Sequence, residues 1–253
     1  MQERTDYACV ANMIGDVDAY ARDMRDSEGF AALRRVCITH LPGFGAVMFS
    51  YHHLPPPGAV DYSSALTVIA HGFPTDWVNR YIKEQMYRHD PITRLAMDVS
   101  EPFWWSEAGN AGAISADEQA YLDTLAAAQL GDGLAIPVFG PNGRNGYCGV
   151  GFGKQATGLS YADIKQVQWV CQLGHQRYCD LLKMQFPDGE HLTGRETEIL
   201  EWVAKGKSNS VIAEIIGISP HTVDTYMRRI YLKFGVADRV TAALRGLAIG
   251  AIK

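Results

Sequence analysis

The segment LTGRETEILEWVAKGKSNSVIAEIIGISPHTVDTYMRRIYLKFGV, residues 192–236, decides the fold of the C-terminal part of this chain of 253 residues. Apolar residues recur in it at helical spacing in three short blocks. A glycine closes each block, at Gly206, Gly217 and Gly235. The segment therefore predicts three short helices joined by tight glycine turns.

Capping residues mark where each of these helices begins. Thr193 stands three residues before Glu196, which is the spacing of a capping box. Ser208 is placed to cap the second helix, and Ser219 caps the third with Pro220 at the first helical position. The inner face of the second helix is predicted at Val211, Ile212 and Ile215. The third helix is expected to bury Val223, Met227, Ile230, Tyr231 and Phe234.

The outer face of the third helix is polar and basic. Its residues are His221, Thr222, Thr225, Arg228, Arg229 and Lys233. A short helix, a tight turn and a helix with such a face present a recognition helix to the major groove of DNA. Lys205, Lys207 and Ser208 are expected near phosphates, and Ser219 completes the candidate DNA-binding set. The alternative is a three-helix bundle that docks onto a protein.

Residues 192–250 resemble the C-terminal DNA-binding domain of LuxR-type transcription regulators. The matching pieces are Leu192-Thr193, Arg195-Glu196, Ala204-Lys-Gly206-Lys-Ser208, Ile212-Ala213, Ser219, Thr222-Val223, Lys233-Phe-Gly235-Val and Arg239. Asp224 and Tyr226 depart from the family, which often has a basic residue and a histidine there. Asp224 would repel a phosphate or accept a hydrogen bond from a cytosine amino group, so base preference is not carried over.

Charge is distributed unevenly along the chain. The net charge is −5, yet residues 191–253 hold nine Lys/Arg and six Asp/Glu, a balance of +3, which leaves −8 for the first 190 residues. The positive excess lies in the candidate DNA-binding part but is small. We therefore expect the protein to need two copies, or a bound partner, to bind DNA tightly.

Cysteine usage and hydropathy indicate the compartment. The five cysteines (Cys9, Cys37, Cys148, Cys171 and Cys179) include no C-x-x-C pair, which favours reduced thiols and a role as small buried hydrophobes. The N-terminus is polar, and no apolar run approaches the roughly 20 residues of a membrane span. We expect a bacterial cytoplasmic protein without a membrane partner.

The first part of the chain mixes helix and strand patterns. Residues 16–40 predict a long helical region, followed by strands at 46–51 and 65–71, and by helices after Pro74 and Asp90-Pro91. An extended segment at 103–105, a helix from Ser115 to Leu130, a hairpin of strands 133–139 and 146–152, and a helix over 160–184 follow. This order predicts an α+β domain, an α/β/α sandwich around an antiparallel sheet. The expected domains are 1–184, a linker at 185–191, and the all-α helix-turn-helix domain at 192–253.

An aromatic cluster in this first domain predicts a small-molecule site. Trp77 and Tyr81 are four residues apart and share a helix face. Phe73, Phe103, Trp105 and Ile92 supply further apolar surface, and Asp90 adds one carboxylate. Aromatic walls with a few polar tips suit a small amphipathic molecule. The alternative is an ordinary aromatic core in which Asp90 only caps the helix that begins at Pro91.

The set Trp77, Tyr81, Asp90-Pro91, Trp105 and Gly133 is similar to the hallmark set of the acyl-homoserine-lactone-binding domain of LuxR-type quorum-sensing receptors. The resemblance implies that Asp90 accepts from the ligand amide, Trp77 donates to the lactone carbonyl and Tyr81 donates to the acyl carbonyl. Trp105 would pack over the lactone ring. An unpaired carboxylate in that setting would cost several kcal/mol, so the empty pocket is expected to be unstable.

Two departures from the family concern the acyl chain. Many relatives have a tyrosine where this chain has Phe73, and many have Ser or Thr on the last strand, which here reads Gly149-Val-Gly-Phe-Gly153. Without those hydroxyls a 3-oxo group would be poorly satisfied. We therefore expect an unsubstituted, branched or aryl acyl chain rather than a 3-oxo chain.

Other motifs are set aside. Gly149–Gly153 is no dinucleotide fingerprint and fits tight packing or room for a ligand. His52 and His53 are adjacent on a strand and point to opposite faces, so they are expected to be structural or solvated rather than metal ligands. No nucleophile–base or metal spacing predicts an enzyme, a metal site or a cofactor.

The resemblance implies a homodimer that reads a palindromic promoter element on double-stranded DNA in response to an autoinducer. We expect the dimer to form through helices such as 160–184, and RNA polymerase is a further expected partner. Two alternatives stay open. One is a regulator of the same type that responds to a non-lactone molecule or acts without ligand, and the other is an enzyme.

Overall fold

A five-stranded sheet organises the first part of the chain in the computed structural model, which describes residues 17–62, 67–110, 112–153, 158–185 and 191–253. The strands are β1 (Met48–Leu54), β2 (Thr67–His71), β3 (Phe103–Trp104), β4 (Gly133–Phe139) and β5 (Asn145–Gly151). Their spatial order is β2-β1-β5-β4-β3. The β1–β2, β3–β4 and β4–β5 pairs are antiparallel, with His52 opposite Val68 and Ala135 opposite Gly149.

Helices cover both faces of this sheet. They are α1 (17–26), α2 (Phe30–His40), α3 (Thr75–Lys83), α4 (Pro91–Asp98), α5 (Ala116–Ala127) and α6 (Tyr161–Gln185). On one face the hydroxyl of Tyr51 in β1 lies 2.8 Å from Nδ1 of His175 in α6. On the other face Thr93 of α4 lies 3.3 Å from the Tyr147 hydroxyl in β5. The predicted α/β/α sandwich around an antiparallel sheet is confirmed.

The helical region predicted over residues 16–40 is interrupted. Residue 16 lies outside the described residues, and the remainder forms two helices that are separated at residues 27–29. Gly29 adopts a positive φ of 84°, and the Ser27 hydroxyl donates to the Met24 carbonyl at 2.7 Å. The predicted long helical region is therefore divided into two helices, because a left-handed glycine and a side-chain bond to the backbone end α1 early.

Several other boundaries differ from the prediction by a few residues. Strand β1 runs on to Leu54 because its pairing with β2 continues through His53. Helix α5 ends at Ala127 rather than at residue 130, and Gln129 has a positive φ of 51°. Its predicted start holds, since Ser115 and Glu118 form a capping box. Strand β5 begins at Asn145, one residue before the predicted start.

Four helices form the C-terminal part: α7 (Gly194–Ala204), α8 (Asn209–Ile216), α9 (Pro220–Phe234) and α10 (Arg239–Ala248). The predicted caps are confirmed. Thr193 and Glu196 form the capping box of α7, Ser208 accepts from the Val211 amide, and Ser219 accepts from the Thr222 amide. The predicted glycine turns also hold, because Gly206, Gly217 and Gly235 all have positive φ.

The inner face of α8 differs from the prediction. Val211 and Ile215 were expected inside, but they are 38% and 45% exposed. Ile212 is buried as predicted, Ala213 is buried as well, and Ile216 packs against the same core. In a helix of only two turns, the apolar spacing fits the predicted face and also the neighbouring face that contains Ala213 and Ile216. Contact with α7 and α9 buries the face that contains Ala213 and Ile216. Of the residues predicted inside α9, Tyr231 is only partly buried, whereas the other four are fully buried.

The described residues divide into two compact units. One holds residues 17–53, 67–140 apart from residue 111, 145–153 and 158–181, and the other holds residues 54–62, 141–144, 182–185 and 191–253. The predicted linker at 185–191 falls largely on residues 186–190, which lie outside the described residues. Helix α6 extends to Gln185, so the domain boundaries near this point remain a prediction.

Candidate functional site

A cavity of about 530 Å³ lies in the sheet-containing unit. Residues of β1, β2 and β5 form one side of it, and residues of α2, α3, α4 and α5 contribute to its lining. Its size falls in the usual range for small-molecule sites. Six of the seven predicted ligand residues line it: Phe73, Trp77, Tyr81, Asp90, Ile92 and Trp105. The seventh, Phe103, lies on β3 opposite Ala135 and is not among the lining residues.

Asp90 combines the two roles that the sequence left as alternatives. Its Oδ1 accepts from the Ile92 amide at 2.9 Å, which caps α4 in front of Pro91. Its Oδ2 accepts from the Tyr81 hydroxyl at 2.9 Å and lies 3.2 Å from the Thr93 hydroxyl. Asp90 therefore begins a helix and also presents a carboxylate to the cavity.

The environment of Asp90 opposes its ionisation. Burial raises the pKa of Asp90, while hydrogen bonds from Tyr81, Ile92, Thr93 and Tyr121 lower it, and the net shift is upward. Burial, and then the nearby Asp90 carboxylate, raise the pKa of Tyr81 above its ordinary value. We predicted from the sequence that the Asp90 carboxylate has no partner in the empty pocket. This prediction was wrong, because the protein itself supplies hydrogen-bond donors to the carboxylate. The cost of its burial is reduced rather than removed.

Glycines make room for the Trp105 ring at the floor of the cavity. A Cβ atom on Gly133 would lie 2.6 Å from this ring, and one on Gly151 would lie 2.9 Å from it. Any side chain at these positions would displace the indole. The Phe73 ring stacks on Trp105 with ring centroids 6.2 Å apart. The glycine-rich strand therefore serves tight packing around the cavity, one of the two uses that the sequence suggested.

Sequence reasoning missed four polar residues that line the cavity: Ser50, His52, Tyr121 and Tyr147. Ser50 and His52 occupy alternate positions on β1, and Tyr147 lies on β5. Period-two alternation on β1 could have revealed the first two, once the strand's cavity-facing side was known. Arg34 of α2, an exposed residue, also belongs to the lining.

The two adjacent histidines face opposite sides of the sheet, as expected. His52 stacks on Tyr147 with centroids 4.1 Å apart, on the cavity side. His53 contacts the rings of His175 and Tyr178 on the α6 side. Both are buried, so the solvated alternative is wrong. Within the described ranges, no cluster of three or more His, Cys, Asp or Glu side chains could hold a metal ion.

The candidate DNA-binding residues lie on the helical unit. Eight of the ten are exposed: Lys205, Lys207, Ser208, Ser219, His221, Thr225, Arg228 and Arg229. Thr222 is half-buried, and its hydroxyl lies 2.8 Å from the Ser219 hydroxyl at the start of α9. The hydroxyls of Ser208 and Ser219 also serve as helix caps, so each retains at most part of its hydrogen-bonding capacity for a ligand.

Lys233 does not occupy the outer face where the sequence placed it. Its ammonium group lies 2.9 Å from Oε2 of Glu196 and 3.0 Å from the carbonyl oxygen of His191. Glu196 is buried and its Oε2 also accepts from the Thr193 amide at 2.7 Å. The helical spacing that grouped Lys233 with Arg229 ignored this buried acceptor, which draws the long side chain inward.

Two arginines of α9 have local partners. Arg228 pairs with Asp224 one turn earlier, with Nη2 3.0 Å from Oδ2, and its side chain is 75% exposed. Arg229 lies over the Tyr226 ring at 5.6 Å. Lys205 similarly lies over the Trp202 ring at 4.7 Å. The departure at Asp224 therefore partly neutralises an arginine on the candidate DNA-binding face, at an exposed site where such pairs are weak.

Other basic residues hold the helices together. Arg195 of α7 donates to the Ile216 carbonyl at the end of α8, with a distance of 2.8 Å. Arg239 of α10 donates to the Lys207 carbonyl in the turn before α8, at 2.6 Å. These bonds satisfy carbonyls that helix ends and turns leave open. They fix the position of α8 relative to α7 and α10.

The fold and these two sites define a class of protein in which an α/β/α domain with a ligand-sized cavity accompanies a helix-turn-helix. Residues 30–178 match the autoinducer binding domain family, and residues 190–245 match the luxR family of bacterial regulatory proteins. The chain belongs to the LuxR-type family of quorum-sensing transcription regulators.

Two curated relatives illustrate the match. The quorum sensing-dependent regulator RpaR of Rhodopseudomonas palustris is 29% identical over 187 residues, which cover 73% of this chain and 75% of RpaR. The quorum-sensing regulator RhlR of Pseudomonas aeruginosa is 26% identical over 240 residues, which cover 90% of this chain and 92% of RhlR. Both are named as transcription regulators, not as enzymes.

Solved structures share the fold. Escherichia coli SdiA superposes with a TM-score of 0.71 at 18% identity, covering 93% of this chain and 97% of SdiA. SdiA in complex with octanoyl-rac-glycerol gives a TM-score of 0.69, again at 18% identity, covering 92% and 93% of the two chains.

Among the helices described in our structure, none is both long and apolar enough to cross a membrane.

Proposed function

We propose that this regulator binds an N-acyl- or N-aryl-homoserine lactone that is not a 3-oxo lactone, and that it reads a palindromic promoter element as a homodimer. The observation that carries the ligand proposal is the cavity with Trp77, Tyr81 and Asp90 in its lining. These side chains offer two donors and one acceptor in a cavity that also has aromatic and aliphatic walls. A lactone head on an apolar tail presents the complementary groups.

The hydrogen bond between Tyr81 and Asp90 suggests how the head group enters. The Tyr81 hydroxyl has one proton, which it donates to Asp90 in this structure. If Tyr81 turns that proton to the acyl carbonyl, Asp90 loses one donor, and the ligand amide N–H replaces it. Trp77 can donate its indole N–H to the lactone carbonyl, and Trp105 packs over the ring. The exchange conserves the number of hydrogen bonds to the buried carboxylate.

The exclusion of a 3-oxo chain rests on two positions. Phe73 has no hydroxyl beside Trp105, and the stretch Gly149-Val-Gly-Phe-Gly153 at the last strand has no Ser or Thr. Both supply a donor in many relatives. A keto group at these places would lose its hydrogen bonds with water without gaining them from either residue. Phe103, which is not among the lining residues, is left out of the proposed site, while Phe73 and Ile92 stay in it as apolar wall.

Thermal unfolding of the full chain with a panel of acyl- and aryl-homoserine lactones tests the ligand class. A ligand at about 100 times its Kd stabilises the folded state by ~2.7 kcal/mol, which shifts the midpoint by several degrees. We expect such a shift with non-3-oxo lactones. A folded protein that binds DNA and shows no shift with any lactone would contradict the proposal. A clear preference for a 3-oxo lactone would contradict the exclusion.

For DNA binding, we propose that α9 is the recognition helix and that two copies read half-sites about one helical turn apart. Exposed apolar residues on α6 (Tyr161, Trp169 and Met184) support the expected dimer contact along that helix. Arg228 and Arg229 are the proposed base or phosphate contacts, with His221, Thr222 and Thr225 beside them. Lys205, Lys207, Ser208 and Ser219 are proposed near phosphates. Lys233 is reassigned to the Glu196 ion pair.

Replacing Arg228 with alanine tests this interface. We expect Arg228→Ala to abolish sequence-specific binding, measured by competition between specific and random duplexes, while ligand affinity stays intact. The matched control is Arg195→Ala, which removes an arginine that bonds the end of α8 and should instead lower the stability of the helical unit. Loss of both DNA and ligand binding in Arg228→Ala would mean that Arg228 is structural.

A second candidate is a regulator of the same type that responds to a non-lactone molecule, or that needs no ligand. The SdiA complex contains an octanoyl chain on a glycerol head, so a fold of this kind can take an acyl chain without a lactone. Including 1-octanoylglycerol in the panel separates the candidates. A shift with the acylglycerol but none with the lactones would select the second.

We further propose a cytoplasmic location and RNA polymerase as a partner at the promoter. We also propose that the sensory unit binds its ligand without changing it. A turnover screen, in which the recovered lactone is analysed by mass spectrometry after incubation with the protein, checks that last point.

A further inference from the structure

Two polar side chains on β1 lie in the cavity wall and have no role in holding the lactone head. Ser50 and His52 are two residues apart, so they share the cavity-facing side of the strand. Ser50 is 8% exposed and His52 is 3% exposed. Within the described residues, His52 Nδ1 is buried and has no hydrogen-bond partner. The Ser50 side chain lines the same cavity. Buried polar groups in native proteins are usually paired, so the unpaired His52 nitrogen needs an explanation.

The packing around these residues holds them in place. A Cβ atom on Gly149 would lie 2.5 Å from the Ser50 hydroxyl oxygen, so the bare glycine on β5 provides the space that this hydroxyl occupies. The His52 ring lies face to face with Tyr147 at 4.1 Å and edge-on to Tyr81 at 6.1 Å. A half-turn of the imidazole keeps this stacking, so either edge of the ring can carry the nitrogens.

The protonation state of His52 limits which groups suit the two residues. Burial lowers the pKa of His52 to about 3, so the ring is neutral near pH 7 and has one donor and one acceptor nitrogen. The Ser50 hydroxyl also donates and accepts. An alkyl chain satisfies neither residue, and a keto group accepts but cannot donate. A hydroxyl group both donates and accepts, so it fits a pair that offers both functions.

We infer that Ser50 and His52 form a polar subsite for a hydroxyl group on the acyl or aryl tail of the ligand. The inference rests on the proposed lactone function and narrows its ligand class. In this arrangement Ser50, on the neighbouring strand, supplies a hydroxyl in place of the one that many relatives carry in the last-strand stretch that here reads Gly149-Val-Gly-Phe-Gly153. The tail hydroxyl can be aliphatic, as in a 3-hydroxyacyl chain, or phenolic, as in a hydroxyphenyl-substituted chain.

Matched ligand pairs test the subsite on the full-length protein. The first set is the octanoyl, 3-hydroxyoctanoyl and 3-oxooctanoyl homoserine lactones. The second pair is the 3-phenylpropanoyl and 3-(4-hydroxyphenyl)propanoyl homoserine lactones. We expect the hydroxylated member of one set to bind about 3- to 10-fold more tightly than its unsubstituted partner, the range that one net hydrogen bond gives. Tighter binding of the hydroxylated lactone in the octanoyl set would identify the hydroxyl as aliphatic, and tighter binding in the phenylpropanoyl pair would identify it as phenolic.

Variants of the two residues connect the ratio to the subsite. In Ser50→Ala and in His52→Phe, which retains an aromatic ring against Tyr147, the ratio of the two Kd values should fall to about one. His53→Phe is the matched control, since it changes the neighbouring histidine on the α6 side and should retain the wild-type ratio. If either test variant is insoluble, His52→Gln, which keeps one donor and one acceptor, should retain part of the ratio.

The outcomes separate this inference from the proposed function. Equal binding of hydroxylated and unsubstituted lactones by the wild type, or an unchanged ratio in both test variants, overturns the subsite and leaves the lactone function standing. A preference for the 3-oxo lactone over the 3-hydroxy lactone also overturns it. Trp77→Phe should weaken all lactones and keep the ratio. Failure of every lactone to bind the wild type contradicts the proposed function itself.

Discussion

The two units of this chain differ in how completely each satisfies its own interior. The helical unit has an apolar core of residues such as Leu200, Ile212 and Ile230, and its one buried charge, within the described residues, is Glu196, which is paired with Lys233. The sheet-containing unit buries Asp90, His52 and other polar side chains around a cavity of about 530 Å³.

This difference between the two units indicates which of them a bound ligand can stabilise against unfolding. A unit whose core is already packed and paired gains little from a small molecule. A unit with an open cavity and incompletely satisfied polar groups gains both buried apolar area and hydrogen bonds. We therefore expect the ligand to stabilise one unit directly, and each of the following predictions tests or refines that asymmetry.

The largest effect is expected in the helical unit, from Lys233→Ala. Removing the ammonium group leaves the Glu196 carboxylate buried beside α7 without its cation, and a broken buried pair costs about 3 kcal/mol or more. Hydrogen exchange of the backbone amides in residues 194–248 should show this loss. Added ligand should not restore it.

Lys205→Ala is the matched control, because Lys205 is an exposed lysine of the same unit whose contact is the Trp202 ring. We expect it to change stability by less than about 1 kcal/mol. If Lys233→Ala proved as stable as this control and lost only DNA affinity, Lys233 would belong to the DNA-binding set after all.

The second effect is the stabilisation of the sheet-containing unit by its ligand. At about 100 times the Kd, the ligand should add ~2.7 kcal/mol to the free energy of unfolding of that unit. Hydrogen exchange should slow within residues 67–110 and 133–151, while amides in residues 194–248 keep their rates. An equal increase in protection in both regions would contradict the asymmetry and indicate that the two units unfold together.

The third effect separates stability from binding at Asp90. Burial raises the pKa of this carboxyl, so its contribution to stability is full below the unfolded-state pKa and is lost as the pH rises through the folded-state pKa. Tyr81, Tyr121, Tyr147 and Thr93 surround it and remain neutral near pH 7. Asp90→Asn should therefore stabilise the empty protein at pH 7, because the variant has no buried group to ionise, and should weaken lactone binding.

The measurement is the unfolding free energy of wild type and Asp90→Asn in urea from pH 4 to pH 8, without ligand. The difference between the two proteins should increase with pH, because only the wild type must ionise a buried group. Asn can still cap α4, so loss of the cap does not obscure the result. A wild type that is more stable than the variant at every pH would show that the hydrogen bonds to Asp90 more than compensate for its burial.

Sequence patterns predicted the helical unit more fully than the cavity, and for a physical reason. Caps such as Thr193 and Ser219 and turn glycines such as Gly217 act within a few residues, so the chain itself displays them. The matching residues Arg195 and Arg239 carried the family resemblance, yet in the structure they hold the bundle together.

The cavity depends on long-range register instead. The aromatic set from Trp77 to Trp105 lies in one stretch of sequence and was found, whereas Ser50 and His52 reach the cavity only through the pairing of β1 with its neighbours. The stretch Gly149–Gly153 was interpreted as lacking a hydroxyl, because the sequence does not show that the Ser50 hydroxyl lies in the space beside Gly149. Lys233 was misplaced for a similar reason, since its partner Glu196 is 37 residues away.

The smallest effect concerns the pair of Arg228 with Asp224 on the exposed face of the helical unit. Because the pair is solvent-exposed, it contributes less than about 0.5 kcal/mol to stability, so Asp224→Asn should leave unfolding unchanged. It should instead free the Arg228 guanidinium for phosphate, raise affinity for any duplex and steepen the dependence of log K on log salt by about one.

Glu201→Gln is the matched control, because it makes the same change in charge on α7. It should change neither the affinity for DNA nor its dependence on salt. Asp224→Asn should also have no effect when Arg228 is already alanine, since the two residues act as a pair. An equal gain in affinity from Glu201→Gln would mean that the net charge of this unit, rather than the release of Arg228, determines its affinity for DNA.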